Sequence, residues 1–195
     1  MTPNPALLEK LKEYLGTRMR QISCDGQRLN LNCGACDTIS RLACEILKGI
    51  DYECEVRRVA VLIGNEIGRK IFAEQAKTGN FNQEEQIKAG GCVIGMGVPP
   101  EMFHYIIWFP KEREILDLTF GQSSRPQYNI HTAAYWESIN KLPEEILSFE
   151  FIDGVPETRA PLYDIPKLKP FFEDVIKKGM RYLKSACNPM KIQVP

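Results

Sequence analysis

Charge of one sign is missing from this 195-residue sequence: 25 lysines and arginines stand against 25 aspartates and glutamates. Proteins that hold nucleic acid or anionic membranes carry a basic surplus, so neither partner is expected. Long apolar runs are missing too, and a bilayer-spanning helix needs about 20 such residues in succession. The opening Met1-Thr2-Pro3-Asn4-Pro5 lacks the basic-then-apolar pattern of a secretory leader, so a cytoplasmic location is expected. The seven cysteines, Cys24, Cys33, Cys36, Cys44, Cys54, Cys92 and Cys187, are odd in number and scattered, which argues against a disulfide scaffold and for reduced thiols. Histidine is scarce, with only His104 and His131. There is no internal repeat and no low-complexity tract. A hydrophobic share of 44% is enough to bury a core without metal or disulfide, so residues 1–195 read as one domain.

Several segments carry a clear period. Leu7, Leu8, Leu11, Leu15, Met19 and Ile22 predict an amphipathic helix from about Pro5 to about Arg20. Residues 25–32 read as a loop leading into Cys33-Gly34-Ala35-Cys36. Behind it, Ile39, Leu42, Ala43, Ile46 and Leu47 mark one face of a second helix that Gly49 would terminate. The valine-rich stretch from Tyr52 to Ile63 predicts a strand. A polar stretch follows, with a helix over about Arg69–Ala76 and a loop over 78–82. After an apolar run near Cys92–Ile94 and a Gly-Met-Gly-Val-Pro-Pro turn, two strands are expected, about Phe103–Phe109 and about Glu114–Leu118. Further on, a short helical stretch near Ala133–Asn140, a strand near Leu147–Ile152 and a last helix over about Ile165–Leu183 complete the reading. The apolar stripe of that last helix, Leu168, Phe171, Phe172, Val175, Ile176 and Met180, reads as core packing rather than a cofactor box.

Position singles out one cysteine. Cys36 falls at the first turn of its helix, where unpaired backbone N–H groups and the macrodipole favour a thiolate. Its own N–H is the first candidate donor to an oxyanion. Cys44, inside the helix on the apolar face, is better explained as core. A thiolate nucleophile needs a proton-carrying partner, and His104, opening the strand His104-Tyr105-Ile106-Ile107-Trp108-Phe109, is better placed than His131, which reads as a surface or capping residue. A hairpin centred on Pro110-Lys111 would pair Phe109 with Glu112 and put His104 directly opposite Asp117, with Cβ atoms about 4.5–5.5 Å apart. That placement accounts for an acid within the apolar run Ile115-Leu116-Asp117-Leu118, where an unpaired carboxylate would be costly. Taken singly, Asp117 could instead cap a turn or pair with Arg113 or Lys111, and His104 could be a satisfied core histidine. Together with the helix-start cysteine, they read as a Cys-His-Asp triad.

Gly34-Ala35-Cys36-Asp37, the helix ending Leu47-Lys48-Gly49-Ile50, the strand with Val56–Val61, His104 leading an aromatic strand, and Asp117-Leu118-Thr119 together resemble the transglutaminase-like superfamily. The resemblance covers residues 30–122, with an N-terminal helix and a C-terminal helical extension outside it. It implies an α+β, papain-like fold, with the nucleophile-bearing helix packed on an antiparallel sheet. It further implies Cys36 as nucleophile, His104 as general base and then acid, and Asp117 as the group holding the imidazole. Papain-type enzymes place a side-chain amide before the cysteine in the oxyanion hole, which makes Asn30 or Asn32 the candidate. The long interval between Cys36 and His104 implies an insertion over 64–90 that shapes or covers a cleft, and the aromatics near 98–103 and 128–136 could line one. Expected substrates are proteins, peptides or small amides and esters, with no cofactor and no metal.

Cys33 and Cys36 also match a thiol redox pair, although a thioredoxin-like unit expects a βαβ setting that the preceding helix and loop do not supply. The same two cysteines could supply half of a zinc site completed by Cys54, Cys92 or a histidine, but no second Cys-x-x-Cys exists. A noncatalytic interaction module is the remaining alternative.

Overall fold

Asn4 accepts a hydrogen bond from the Leu7 amide at 3.1 Å, and Pro5 fills the first helical position, where a missing N–H costs nothing. This start launches α1, Pro5–Met19, in the computed structural model, which describes residues 4–21, 23–24, 27–28, 36–80, 82–96, 104–153 and 164–187. Two-residue strands β1, Ser23–Cys24, and β2, Gln27–Arg28, pair with each other, β2 falling within the stretch expected to be loop. Helix α2 is Cys36–Lys48, so the candidate nucleophile is its first residue. Its apolar face, Ile39, Leu42, Ala43, Ile46 and Leu47, is wholly buried, as the spacing predicts.

Helix α2 closes just before Gly49, as expected, though not through a left-handed glycine. The helix ends at Lys48, but the left-handed residue is Asp51, with φ of 71°, and the Tyr52 amide returns to Leu47 O at 3.1 Å. Gly49 serves packing instead, because a Cβ there would overlap the Met180 side chain of the last helix.

Strand β3, Glu55–Gly64, is the trunk of a six-stranded antiparallel sheet. It pairs with β5, His104–Phe109, along 55–59; with β8, Ile146–Phe151, along 59–63; and with β4, Val93–Met96, along 61–64. Beyond β5 lie β6, Glu114–Asp117, and β7, Tyr135–Ser138. The described residues thus form a mixed α+β fold built on antiparallel pairing.

Strand β7 replaces the short helix expected near 133–140. Its register against β6, with Leu116 facing Trp136 and Asp117 facing Tyr135, lets Trp136 stack on Phe109 at 4.8 Å and donate its indole N–H to Glu114 at 2.9 Å. Pairing and cross-strand aromatic packing outweigh local helical spacing here.

Alternation along β5 and β6 splits the core. Ile107, Phe109, Leu116 and Leu118 pack with α1, α2 and the last helix, α5, Lys169–Cys187, whereas Ile106 and Ile115 join Val59, Val61, Ile63, Phe120 and Ile130. The stripe of α5 is packing, with Phe172 and Val175 buried in the first cluster. A three-residue 3-10 turn, Pro166–Leu168, occupies the start of the stretch expected to be helix.

The segment 64–90 carries two helices, α3, Glu66–Thr78, which is longer than the period predicts, and α4, Gln83–Lys88, which the sequence reading omits. Asn65 holds the segment in place. Its side chain accepts from the Gly68 amide at 2.7 Å and the Cys92 amide at 3.2 Å, and donates to Gly90 O at 2.9 Å and Tyr128 O at 2.7 Å. Asn65→Ala should therefore cost about 1–3 kcal/mol in urea denaturation, because it removes a helix cap and strands buried donors and acceptors at once.

Candidate active site

Three elements converge at one end of the sheet. Cys36 opens α2, His104 opens β5, and Asp117 closes β6. Ser40, one turn into α2 and 2% exposed, donates its hydroxyl to Tyr105 O at 2.9 Å, which ties the start of the helix to the start of β5. The Cys36 end of α2 and the His104 end of β5 are held together by that contact as well as by the core behind them.

The hairpin register corrects the sequence expectation. Phe109 pairs with Glu114, Trp108 with Ile115 and Ile107 with Leu116, leaving residues 110–113 as the loop, with Arg113 left-handed at φ 56°. His104 is thus not directly opposite Asp117, and Phe109 does not pair with Glu112. The displacement is by an even number of positions, so His104 and Asp117 still share a face, and the imidazole reaches its acid along the diagonal. Its Nε2 lies 2.5 Å from Asp117 Oδ2, with both side chains 1% exposed.

The acid is held on both oxygens. Asp117 Oδ1 accepts the Thr119 amide at 2.9 Å and the Thr119 hydroxyl at 3.1 Å. This side-chain-to-backbone turn is the physical content of the Asp-x-Thr sequence. Tyr135, paired with Asp117 across the sheet and packed edge-on against Phe120 at 5.1 Å, closes off solvent. Burial, and then the nearby Asp117 charge, push its phenol well above its usual range.

Burial alone would disfavour the His104 imidazolium. The Asp117 charge and hydrogen bond outweigh that cost, a hydrogen bond with Cys36 adds to them, and the imidazole is pushed up to about 10. Since Nε2 belongs to Asp117, the nitrogen left for Cys36 is Nδ1. A third group reaches that nitrogen: Gln122 Nε2 lies 3.2 Å from it. Cys36 itself is half-buried and makes no disulfide among the described residues. Asp37, in the same first turn, accepts from the Thr38 hydroxyl at 3.3 Å.

Other sequence candidates fall elsewhere. Asn30, Asn32 and Cys33 lie outside the described residues, as do the aromatics and prolines at 98–103. Cys44 and Cys54 are 1% and 6% exposed with sulfurs 3.5 Å apart, so Cys54 is engaged with a core thiol. His131 is exposed and pairs with Asn129 at 3.2 Å. No described hydrogen bond to His104 or Asp117 comes from segment 64–90. No helix among the described residues is long and apolar enough to cross a membrane. Sequence reasoning missed Ser40 and Gln122; Thr119 entered it only as part of a motif, and nothing in the local pattern marks the other two.

A group that binds its proton more tightly when folded adds stability at low pH and loses it as pH rises through the folded value. For His104 that window runs from its ordinary 6.5 to about 10. Asp117→Asn should cost about 3–5 kcal/mol at pH 6 in urea denaturation, because it leaves a buried cation uncompensated. Its deficit against the native chain should shrink as the pH approaches 10, where native His104 also surrenders its proton. Comparison with known proteins returned no matching family model, no matching curated protein and no matching solved structure.

Proposed function

We propose that this chain is a cysteine-dependent acyltransferase or amide hydrolase of transglutaminase-like, papain-like type, acting on a protein, a peptide or a small amide or ester. One observation carries the reading: a single buried imidazole is held by a carboxylate on one nitrogen and is hydrogen-bonded to a helix-start thiol, leaving its other nitrogen for that thiol. A core histidine needs only one such partner. The two-sided arrangement favours a proton passing between sulfur and nitrogen.

The geometry supports the following roles. With the proton on His104 Nδ1, Cys36 is a thiolate, further favoured by the N-terminal end of α2. It attacks the substrate carbonyl carbon, and the carbonyl electron pair moves to oxygen. The tetrahedral intermediate collapses as His104 Nδ1–H protonates the leaving amine or alcohol, producing a thioester on Cys36. Water or an amine then gives a proton to Nδ1 as it attacks the thioester, and expulsion of the sulfur restores the thiolate and imidazolium. Asp117 keeps Nε2 protonated and the ring oriented throughout, and Thr119 keeps Asp117 oriented.

Alkylation by iodoacetamide, followed peptide by peptide against pH, tests the proposal. Cys36 should label rapidly well below pH 8.5, about where an ordinary free thiol titrates. His104→Ala should slow labelling at pH 6 on the order of 10²-fold, while Cys33→Ala leaves it unchanged. A Cys36 that behaves as an ordinary thiol with or without His104 would sink the reading. Equal dependence on Cys33 would favour the redox pair.

A further inference from the structure

The turn that holds Asp117 also aims an amide at the reacting atoms. Residues Phe120–Ser123 form a 3-10 turn directly after Thr119, anchored by Phe120 and Ser123, which are 1% and 2% exposed. Gln122 is fixed at both ends of its backbone: its N–H donates to Thr119 O at 3.0 Å, and its carbonyl accepts from Arg125 Nη1 at 3.0 Å. Its side chain reaches back to His104, with Nε2 3.2 Å from Nδ1, the nitrogen that serves Cys36. The amide donor therefore sits beside the place where the attacked carbonyl must lie, a position no sequence motif assigns.

We infer that Gln122 is the side-chain oxyanion donor of this site, working with the backbone N–H of Cys36. The inference rests on the acyl-transfer reading above and deepens it. Its logic is the valence of Nδ1. When Nδ1 carries no proton, it accepts one amide N–H from Gln122. When it is protonated, two donors face each other and that bond is lost. In the thiolate–imidazolium state His104 already holds its proton, so the Gln122 N–H is turned away from the ring before attack and meets the negative charge as it builds on the substrate oxygen. Once the leaving group has taken the proton, Nδ1 accepts from Gln122 again, and the ring is held in place for the second half-reaction. No atom is transferred to or from Gln122; only its hydrogen-bond partner changes.

The test compares two reactions of the same thiol in the full chain. Iodoacetamide alkylates sulfur by displacement at carbon and forms no oxyanion. 4-Nitrophenyl acetate acylates sulfur through a tetrahedral oxyanion and releases nitrophenolate. Gln122→Ala and the near-isosteric Gln122→Glu, both checked for folding by circular dichroism, should lower the acylation rate of Cys36 on the order of 10²-fold. Alkylation by iodoacetamide should keep its rate at its pH optimum within about threefold in Gln122→Ala, since displacement at carbon builds no oxyanion and His104 and Asp117 are untouched. A parallel fall in both reactions in Gln122→Ala would make Gln122 a mere support for the imidazole and overturn the inference. So would acylation at the native rate in both variants. A native chain whose Cys36 is neither acylated nor alkylated faster than a free thiol fails the parent reading itself, and the inference with it.

Discussion

A carboxylate and an imidazole, each 1% exposed and 2.5 Å apart, form the contact on which the candidate site depends. Burying either alone would be costly, since neither desolvated charge would have compensation. Every neighbouring feature serves the pair. Thr119 occupies the second carboxylate oxygen, Tyr135 and Phe120 keep water away, and the β5–β6 hairpin sets the separation. The same low-dielectric setting that makes an unpaired partner expensive strengthens the bond between the two.

The thiol is brought to this pair by a separate device. Helix α2 lies against the sheet through its buried face and is clamped by α5, with Gly49 removing the side chain that would collide with Met180. Ser40 then fixes the start of the helix to Tyr105, the residue after the histidine. Cys44, lower on the helix, meets Cys54 just before β3 and belongs to the same packing. Of the two thiols of α2, only the one at the helix end reaches the imidazole, and the other is core. Depth along one helix separates a chemically placed sulfur from a structural one.

Segment 64–90 is organised by its own polar contacts, and none of its described hydrogen bonds reaches His104 or Asp117. Asn65 caps α3, holds the backbone at Cys92 and Gly90, and reaches Tyr128, so one polar side chain organises much of the segment. Helix α3 contacts β3 and β4, α4 packs on α3, and His104 pairs with Val59 of the trunk strand.

Local pattern was enough for the elements whose burial is periodic. The stripe of α1, the apolar face beginning behind Cys36, the valine-rich trunk and the two strands of the hairpin were all legible, and so were Cys36, His104 and Asp117 as residue types at revealing places. Parity along a strand survives an error in register, which is why the His104–Asp117 partnership was readable although the pairing moved by two positions. Tertiary structure decided what local pattern could not. It made Tyr135–Ser138 a strand, because a sheet edge and the face of Phe109 were available to it. It gave Asp51 rather than Gly49 the left-handed turn, while the missing side chain of Gly49 leaves room for Met180 of α5. It placed Ser40 and Gln122 at the site, since a hydrogen bond between residues 40 and 105, or 104 and 122, depends on how elements pack and leaves no mark on neighbouring residues. The sequence by itself determined which groups could do chemistry, and packing determined which of them meet.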